Sequence, residues 1–253
     1  IADVIAFKGP HINHLTPRTL DIDKVQASME ARNIPPKDTI EGPPTRKCPI
    51  LLRQTSFKAL TEKVTFKDET GNVKIGEHKA RFGEIEQRGV ALTKKGQDLY
   101  NELLGKTRKA IGGSPNAETA SKYNQLLSEN FKVFPDNYQE LQSEKLAYFH
   151  YFTTDKIKSI LKDKTYTKSD INQLLQDGYL SIEPMVYEDF LPVSAAGIFA
   201  SNLGTDDAEH EYEASSNQSL FEKDLGEPVY ELTKWYENMQ NETIEKCLAQ
   251  INA

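Results

Sequence analysis

The sequence predicts an α+β protein whose first third is rich in strands and whose remainder adds helices. Residues 11 to 88 spell strand, helix, strand, strand, strand, and from Leu92 the apolar spacing changes from period two to a helical period. With 253 residues, 38% of them hydrophobic, the chain can bury a substantial core without disulfides. Residues 1–90 are expected to form a β-rich module and 91–253 to add helices and strands that complete the same domain.

Taken in order, His11 to Leu20 alternates apolar residues as a strand does, and Asp21 or Asp23 can cap a helix through about Arg32, stopped by Pro35-Pro36. A second proline pair, Pro43-Pro44, marks a loop. Strands are expected at Ile50–Phe57 and Val64–Phe66, with a turn at Asp68–Asn72 and a further strand from Ala80 to Arg88. Helical spacing then places Leu99, Leu103 and Leu104 on one face of a run ending near Gly112-Gly113, and Ala120, Leu127 and Phe131 on another. Leu146–Phe152 reads as a buried aromatic strand, Thr167–Asp170 as a helix cap before Ile171 and Leu174, and Tyr179–Phe190 as strand. Small residues from Val193 to Phe199 suit a close-packed turn beside a site. The tail from Pro228 is amphipathic helix carrying Leu232, Trp235, Met239, Ile244, Leu248 and Ile251.

Charge narrows the function classes. The balance of 31 Lys+Arg against 38 Asp+Glu gives a net charge of -7, with no basic cluster to neutralise phosphates, so nucleic acid is not an expected partner. No stretch approaches the roughly 20 apolar residues that cross a bilayer. Two isolated cysteines, Cys48 and Cys247, have no metal-ligand spacing and fit a reducing cytoplasm. Ile1 opens an apolar run with no methionine and no signal features, and is expected to be internal to something longer. The arginines, from Arg18 to Arg108, all lie in the first 108 residues, which is where an anionic small molecule would be sought. An acidic run follows much later, Asp206 to Glu213.

Three groups could carry chemistry. On a strand, His11 and His14 point to opposite faces and cannot chelate one ion, and a lone strand histidine is more often structural than a ligand. The run Arg81-Phe82-Gly83-Glu84-Ile85-Glu86-Gln87-Arg88 has no apolar face; as an edge strand it would be a solvated ladder of ion pairs, and in mid-sheet its charges must be paired or bind something. Arg53-Gln54-Thr55-Ser56 poses the same question, since polar residues projecting from several strands would line a cavity. One histidine and one carboxylate on neighbouring strands are two-thirds of the 2-His-1-carboxylate triad that holds Fe(II). His78 and His150 are further histidines that no spacing selects.

Four strings are specific enough to compare: Phe7 to Asp23, Leu51 to Leu60, Arg81 to Arg88, and Val186 to Phe199. In this order they closely resemble the 2-oxoadipate dioxygenase/decarboxylase family, the bacterial 2-hydroxyglutarate synthases of lysine catabolism. The resemblance implies a vicinal-oxygen-chelate-like β-α-β-β-β module with added helices, and a cytoplasmic Fe(II) enzyme that converts 2-oxoadipate and O2 to D-2-hydroxyglutarate and CO2. By position it implies His14 and Glu84 as metal ligands and Val193 and Ser194 as substrate-pocket residues, which makes residues 1–90 the metal-site module. Arg53, Arg81 and Arg88 are the candidates to hold the distal carboxylate, because a guanidinium fork suits it best. The family's first metal histidine, in a His-Gly-Ala-Ile-Arg type string, has no counterpart here. The resemblance therefore covers the C-terminal portion, with the family's N-terminal module as the expected partner. Two other readings keep the same cavity: a non-catalytic small-anion-binding module, and a glyoxalase-like metal lyase or isomerase.

Overall fold

In the computed structural model, which describes residues 17–56, 60–67, 71–80, 85–160, 164–189 and 218–253, Asp21 settles where the first helix begins. Its carboxylate accepts the Lys24 backbone N–H at 3.0 Å, and helix α1 spans Ile22–Ala31. The helix stops before the proline pair, at Asn33, whose φ of 56° is left-handed. Contacts divide the chain into two units, Ile1–Thr45 with Leu52–Arg88 and Thr107–Glu129, and Arg46–Leu51 with Gly89–Lys106 and Asn130–Ala253. Helices and strands are mixed in an α+β arrangement, as expected.

The first unit is built on strand β1 (Leu52–Thr55) paired antiparallel with β4 (Ile85–Arg88), in the register Arg53↔Gln87 and Gln54↔Glu86. Segment 17–19 extends the sheet beyond β4 in parallel, through Arg18↔Glu86, with Thr19 donating its backbone N–H to the Glu86 carbonyl at 2.8 Å. On the other side Lys37 and Glu41 hydrogen-bond to the backbone of Ser56 and Gln54, so residues 37–41 form the opposite margin. The order across the sheet is 17–19, β4, β1, 37–41, with α1 packed on β1 and β4. Between β1 and β4 the chain makes an antiparallel hairpin of β2 (Leu60–Lys67) and β3 (Val73–Ala80).

Several expectations need correcting. The strand expected over Ala80–Arg88 is two elements: Ala80 ends β3, Ile85–Arg88 is β4, and residues 81–84 lie outside the described residues. β4 is no solvated edge, because it has a neighbour on each side and Glu86 is 3% exposed. The strip 37–41 was hidden by the proline pairs on either side of it. Ile50 does not belong to β1: it bridges Val90 in parallel, next to Leu51, whose φ is 51°.

In the second unit, helix α2 (Lys94–Ile111), which ends in the first unit, turns Gly96, Tyr100 and Leu103 inward, while Leu99 and Leu104 are only half-buried. Gly96 is required, since a Cβ there would lie 2.0 Å from the Leu146 carbonyl oxygen. Helix α3 (Ala120–Asn130), which lies in the first unit up to Glu129, buries Tyr123 and Leu127, and Phe131 is buried in the second. After the short helix α4 (Tyr138–Ser143), β5 (Phe149–Thr153) pairs antiparallel with β6 (Leu180–Pro184), reached through α5 (Ile171–Gln176). The strand expected over Tyr179–Phe190 is thus shorter than its sequence signal. The Thr167–Asp170 cap is present, with the Asp170 carboxylate accepting the Thr167 N–H at 2.8 Å.

Helix α6 (Gln218–Leu225) precedes the long α7 (Leu232–Asn252). α7 buries Tyr236, Ile244, Cys247 and Ile251, and leaves Trp235 45% exposed, so the inward aromatic is one residue later than the expected one. Gln240 Oε1 and Thr243 Oγ1 accept the Phe149 and Tyr151 backbone N–H groups at 2.9 and 3.1 Å, satisfying the free margin of β5. Both cysteines are buried free thiols whose pKa burial pushes up, which leaves them poor nucleophiles. Among the described residues no helix is long and apolar enough to cross a membrane.

Candidate functional site

Alternation along β1 and β4 divides their side chains between two faces. Arg53 and Thr55 turn toward α1. Asp23 on α1 receives both arms of the Arg53 fork, Nη1 at 2.6 Å and Nη2 at 3.0 Å, while Arg53 Nε donates to the Pro43 carbonyl at 3.0 Å. Thr45 and Gln87 accept the longer bonds, and Thr55 Oγ1 donates to Gln26 at 2.7 Å. The arginine is therefore a fully bonded tie between sheet and helix, as a guanidinium buried to 7% exposure must be. Its hydrogen bond holds the Asp23 carboxyl below its ordinary pKa, against the opposing effect of burial. An open cavity of about 330 Å³ adjoins this tie, with Gln26, Glu30, Thr45 and Asn124 in its wall.

The opposite face carries Gln54, Glu86 and Arg88. Glu86 accepts Arg88 Nε at 2.7 Å and Nη2 at 3.2 Å, and Arg18 Nε at 3.3 Å from the neighbouring segment. Gln54, the register partner of Glu86, is 2% exposed, and Ser56 is buried as well. An apolar run that turns polar at Arg53 is thus resolved by both faces at once: each polar side chain has somewhere to bond. Burying carboxylate and guanidinium together is tolerable only with this pairing.

Of the residues singled out from sequence, Arg53 is buried and the Arg88 side chain is 9% exposed, and the two stand on opposite faces of the β1–β4 pair. His11, His14, Arg81, Glu84, Val193 and Ser194 lie outside the described residues. His78 falls on β3, in register with Glu62, and His150 on β5, in register with Glu183. Among the described residues no group of three His, Cys, Asp or Glu side chains could hold a metal ion. Sequence reasoning passed over Asp23 as the partner of Arg53, because the spacing of a capping aspartate fits position 21 or 23 equally. It also passed over Arg18 as the partner of Glu86, a contact between residues 68 apart that no local pattern announces.

The sequence profile of the family described as 2-oxoadipate dioxygenase/decarboxylase matches residues 1–202. The chain is 52% identical over 252 residues to the 2-oxoadipate dioxygenase/decarboxylase of Pseudomonas putida, covering 100% of this chain and 53% of that protein. To the protein of the same description from Escherichia coli K12 it is 46% identical over 247 residues, covering 98% of this chain and 52% of the relative. Among solved structures it is similar to the hydroxyglutarate synthase of Pseudomonas putida in complex with 2-oxoadipate, with a TM-score of 0.78, 49% identity, and coverage of 100% of this chain and 53% of that one. The chain spans about half the length of the curated relatives it matches.

Proposed function

The chain belongs to the 2-oxoadipate dioxygenase/decarboxylase family, and from that membership we propose that it forms part of an Fe(II)-dependent enzyme converting 2-oxoadipate and O2 to D-2-hydroxyglutarate and CO2. The setting of this proposal is lysine catabolism in the cytoplasm. The observation that carries it is the whole-chain likeness to a hydroxyglutarate synthase solved with 2-oxoadipate bound.

We assign residues 1–90 to a vicinal-oxygen-chelate-like β-α-β-β-β module, with 91–253 completing the domain. Support comes from the order of segment 17–19, α1, strip 37–41, β1 and β4, in which the first and last strands lie side by side. The β2–β3 hairpin is then an insertion between the module's last two strands.

His14 and Glu84 would hold the iron, with a further histidine supplied by the remainder of the family's length. Imidazole and carboxylate are a donor set that suits Fe(II). The ion would offer the 2-oxo acid a chelating site and activate O2.

The protein's own groups then bind and orient the substrate. Val193 and Ser194 would line its pocket. The distal carboxylate needs a guanidinium. Arg81 is a candidate, and Arg88 and Arg53 could serve only by exchanging Glu86 and Asp23 for substrate.

The test uses the polypeptide at the full length of its relatives, loaded anaerobically with Fe(II) and given 2-oxoadipate in an oxygen electrode. O2 uptake matched by CO2 and D-2-hydroxyglutarate is expected, and is lost in His14→Ala and Glu84→Ala. Product without O2 uptake would instead mean a lyase or isomerase. Anion binding with neither iron nor turnover would mean a binding module.

A further inference from the structure

The cavity beside the Arg53–Asp23 tie lies between α1 and α3, within the first unit, and its volume of about 330 Å³ falls in the range of small-ligand sites. Its walls sort into groups that are already committed and groups that are not. Arg53 uses all five of its N–H groups: Nε on the Pro43 carbonyl, Nη1 on Asp23 and Gln87, Nη2 on Asp23 and Thr45. Gln26 donates to the Lys37 carbonyl and accepts from Thr55. Among the described residues Glu30, Asn124 and Ser128 have no side-chain hydrogen bond or ion pair, and all three line the cavity. Arg53 neutralises Asp23, so Glu30 leaves the cavity with one uncompensated negative charge. The rest of the wall is apolar, made by Ile40, Pro43, Pro44 and Leu127, and Ala27 is too small to fill the α1 side.

We propose that this cleft is a binding site for a small aliphatic amine, taken as its ammonium cation. An ammonium carries three donors and no acceptor. The three open groups of the wall supply the acceptors: the Glu30 carboxylate, the Asn124 amide oxygen and the Ser128 hydroxyl. Asn124 and Ser128 stand four apart on α3 and so share one of its faces, across the cleft from Glu30 on α1. The alkyl chain lies over Ala27, against Leu127 and the two prolines, and is withdrawn from water there. The same wall refuses anions, because a carboxylate needs donors and its one guanidinium has none left. The cleft therefore has the opposite charge preference to a site that takes a 2-oxo acid, and it goes beyond the oxygenase reading without depending on it.

The experiment is a calorimetric titration of the polypeptide spanning the full length of its relatives with n-pentylammonium chloride, repeated with sodium valerate at the same ionic strength. Saturable binding of the amine and none of the acid is expected. Glu30→Gln removes the charge and should weaken the amine about 5- to 10-fold, a modest loss because Glu30 is open to solvent. Ala27→Leu, which suits an exposed helix position, should abolish binding by filling the place of the alkyl chain, and covers the case in which Glu30→Gln fails to fold. Glu102→Gln removes an exposed carboxylate from α2 and should leave the affinity unaltered, as should saturating 2-oxoadipate. Absence of saturable amine binding, equal binding of valerate, or full affinity in both Glu30→Gln and Ala27→Leu overturns the proposal. Equal loss in Glu102→Gln or competition by 2-oxoadipate overturns it as well, the first marking general surface charge and the second the substrate pocket.

Discussion

At the scale of single residues, the pair formed by Arg53 and Asp23 shows how one contact decides several others. Two aspartates could cap α1 by spacing, and Asp21 takes that role because Asp23 is claimed by the fork of Arg53. Asp23 titrates below its ordinary 3.8, chiefly because Arg53 donates to its ionised form. A depressed carboxylate pKa contributes stability that is present above the unfolded value and disappears as pH falls through the folded one. Urea midpoints of wild type and Asp23→Asn are therefore expected to differ by a constant amount from neutral pH down to the mildly acidic range, and to converge once pH drops below 3.8. Arg53→Lys, which keeps the charge and loses the fork, should cost about 1–3 kcal/mol at pH 7, toward the lower end because the Asp23 side chain is 41% exposed. A midpoint difference independent of pH would show that the pairing is not ionic.

At the scale of elements, packing neighbours give two glycines of one helix opposite signs. Gly96→Ala in α2 is expected to destabilise by about 1–3 kcal/mol or more, since the new Cβ would meet the Leu146 carbonyl, which is backbone and cannot step aside. Gly105→Ala, with nothing within 4 Å of its Cβ, should stabilise by about 0.5–1 kcal/mol through helix propensity alone. Thermal unfolding of the two variants checks both signs. Sequence pattern finds such helices because their period is local, and it found α1, α2, α3 and α7. It failed where a partner decides. Tyr100 and Gly96, not Leu99, face inward on α2, and strip 37–41 is a sheet margin although Pro35-Pro36 and Pro43-Pro44 punctuate it as loop. Among candidate site residues, sequence alone could name arginines but not sort them. Arg53 and Arg88 differ by which face of one strand pair they occupy, and that depends on a register between residues far apart in the chain.

At the scale of the whole molecule, the chain spans about half the length of its relatives. With His14 and Glu84 as the only proposed iron ligands within it, the 253-residue chain alone is expected to bind Fe(II) more weakly than a polypeptide spanning the full length of its relatives. The expected loss exceeds the roughly 10- to 100-fold that disturbing an outer-shell partner costs. Equilibrium dialysis of both forms measures it, and equal affinities would place the remaining ligand inside this chain. The order of strands across the sheet also governs time. β4 is the last of these segments to be synthesised, yet it sits between 17–19 and β1. Among the described residues 17–19 pairs in this sheet with 85–88 alone, so as the chain leaves the ribosome that pairing waits until 85–88 have emerged, and closing the loop must precede its reward. The sheet therefore cannot grow vectorially from its N-terminal side. It waits for its centre, as slow-folding architectures of high contact order do, and in that interval 17–19 is a strand margin open to whatever chaperone or partner reaches it first.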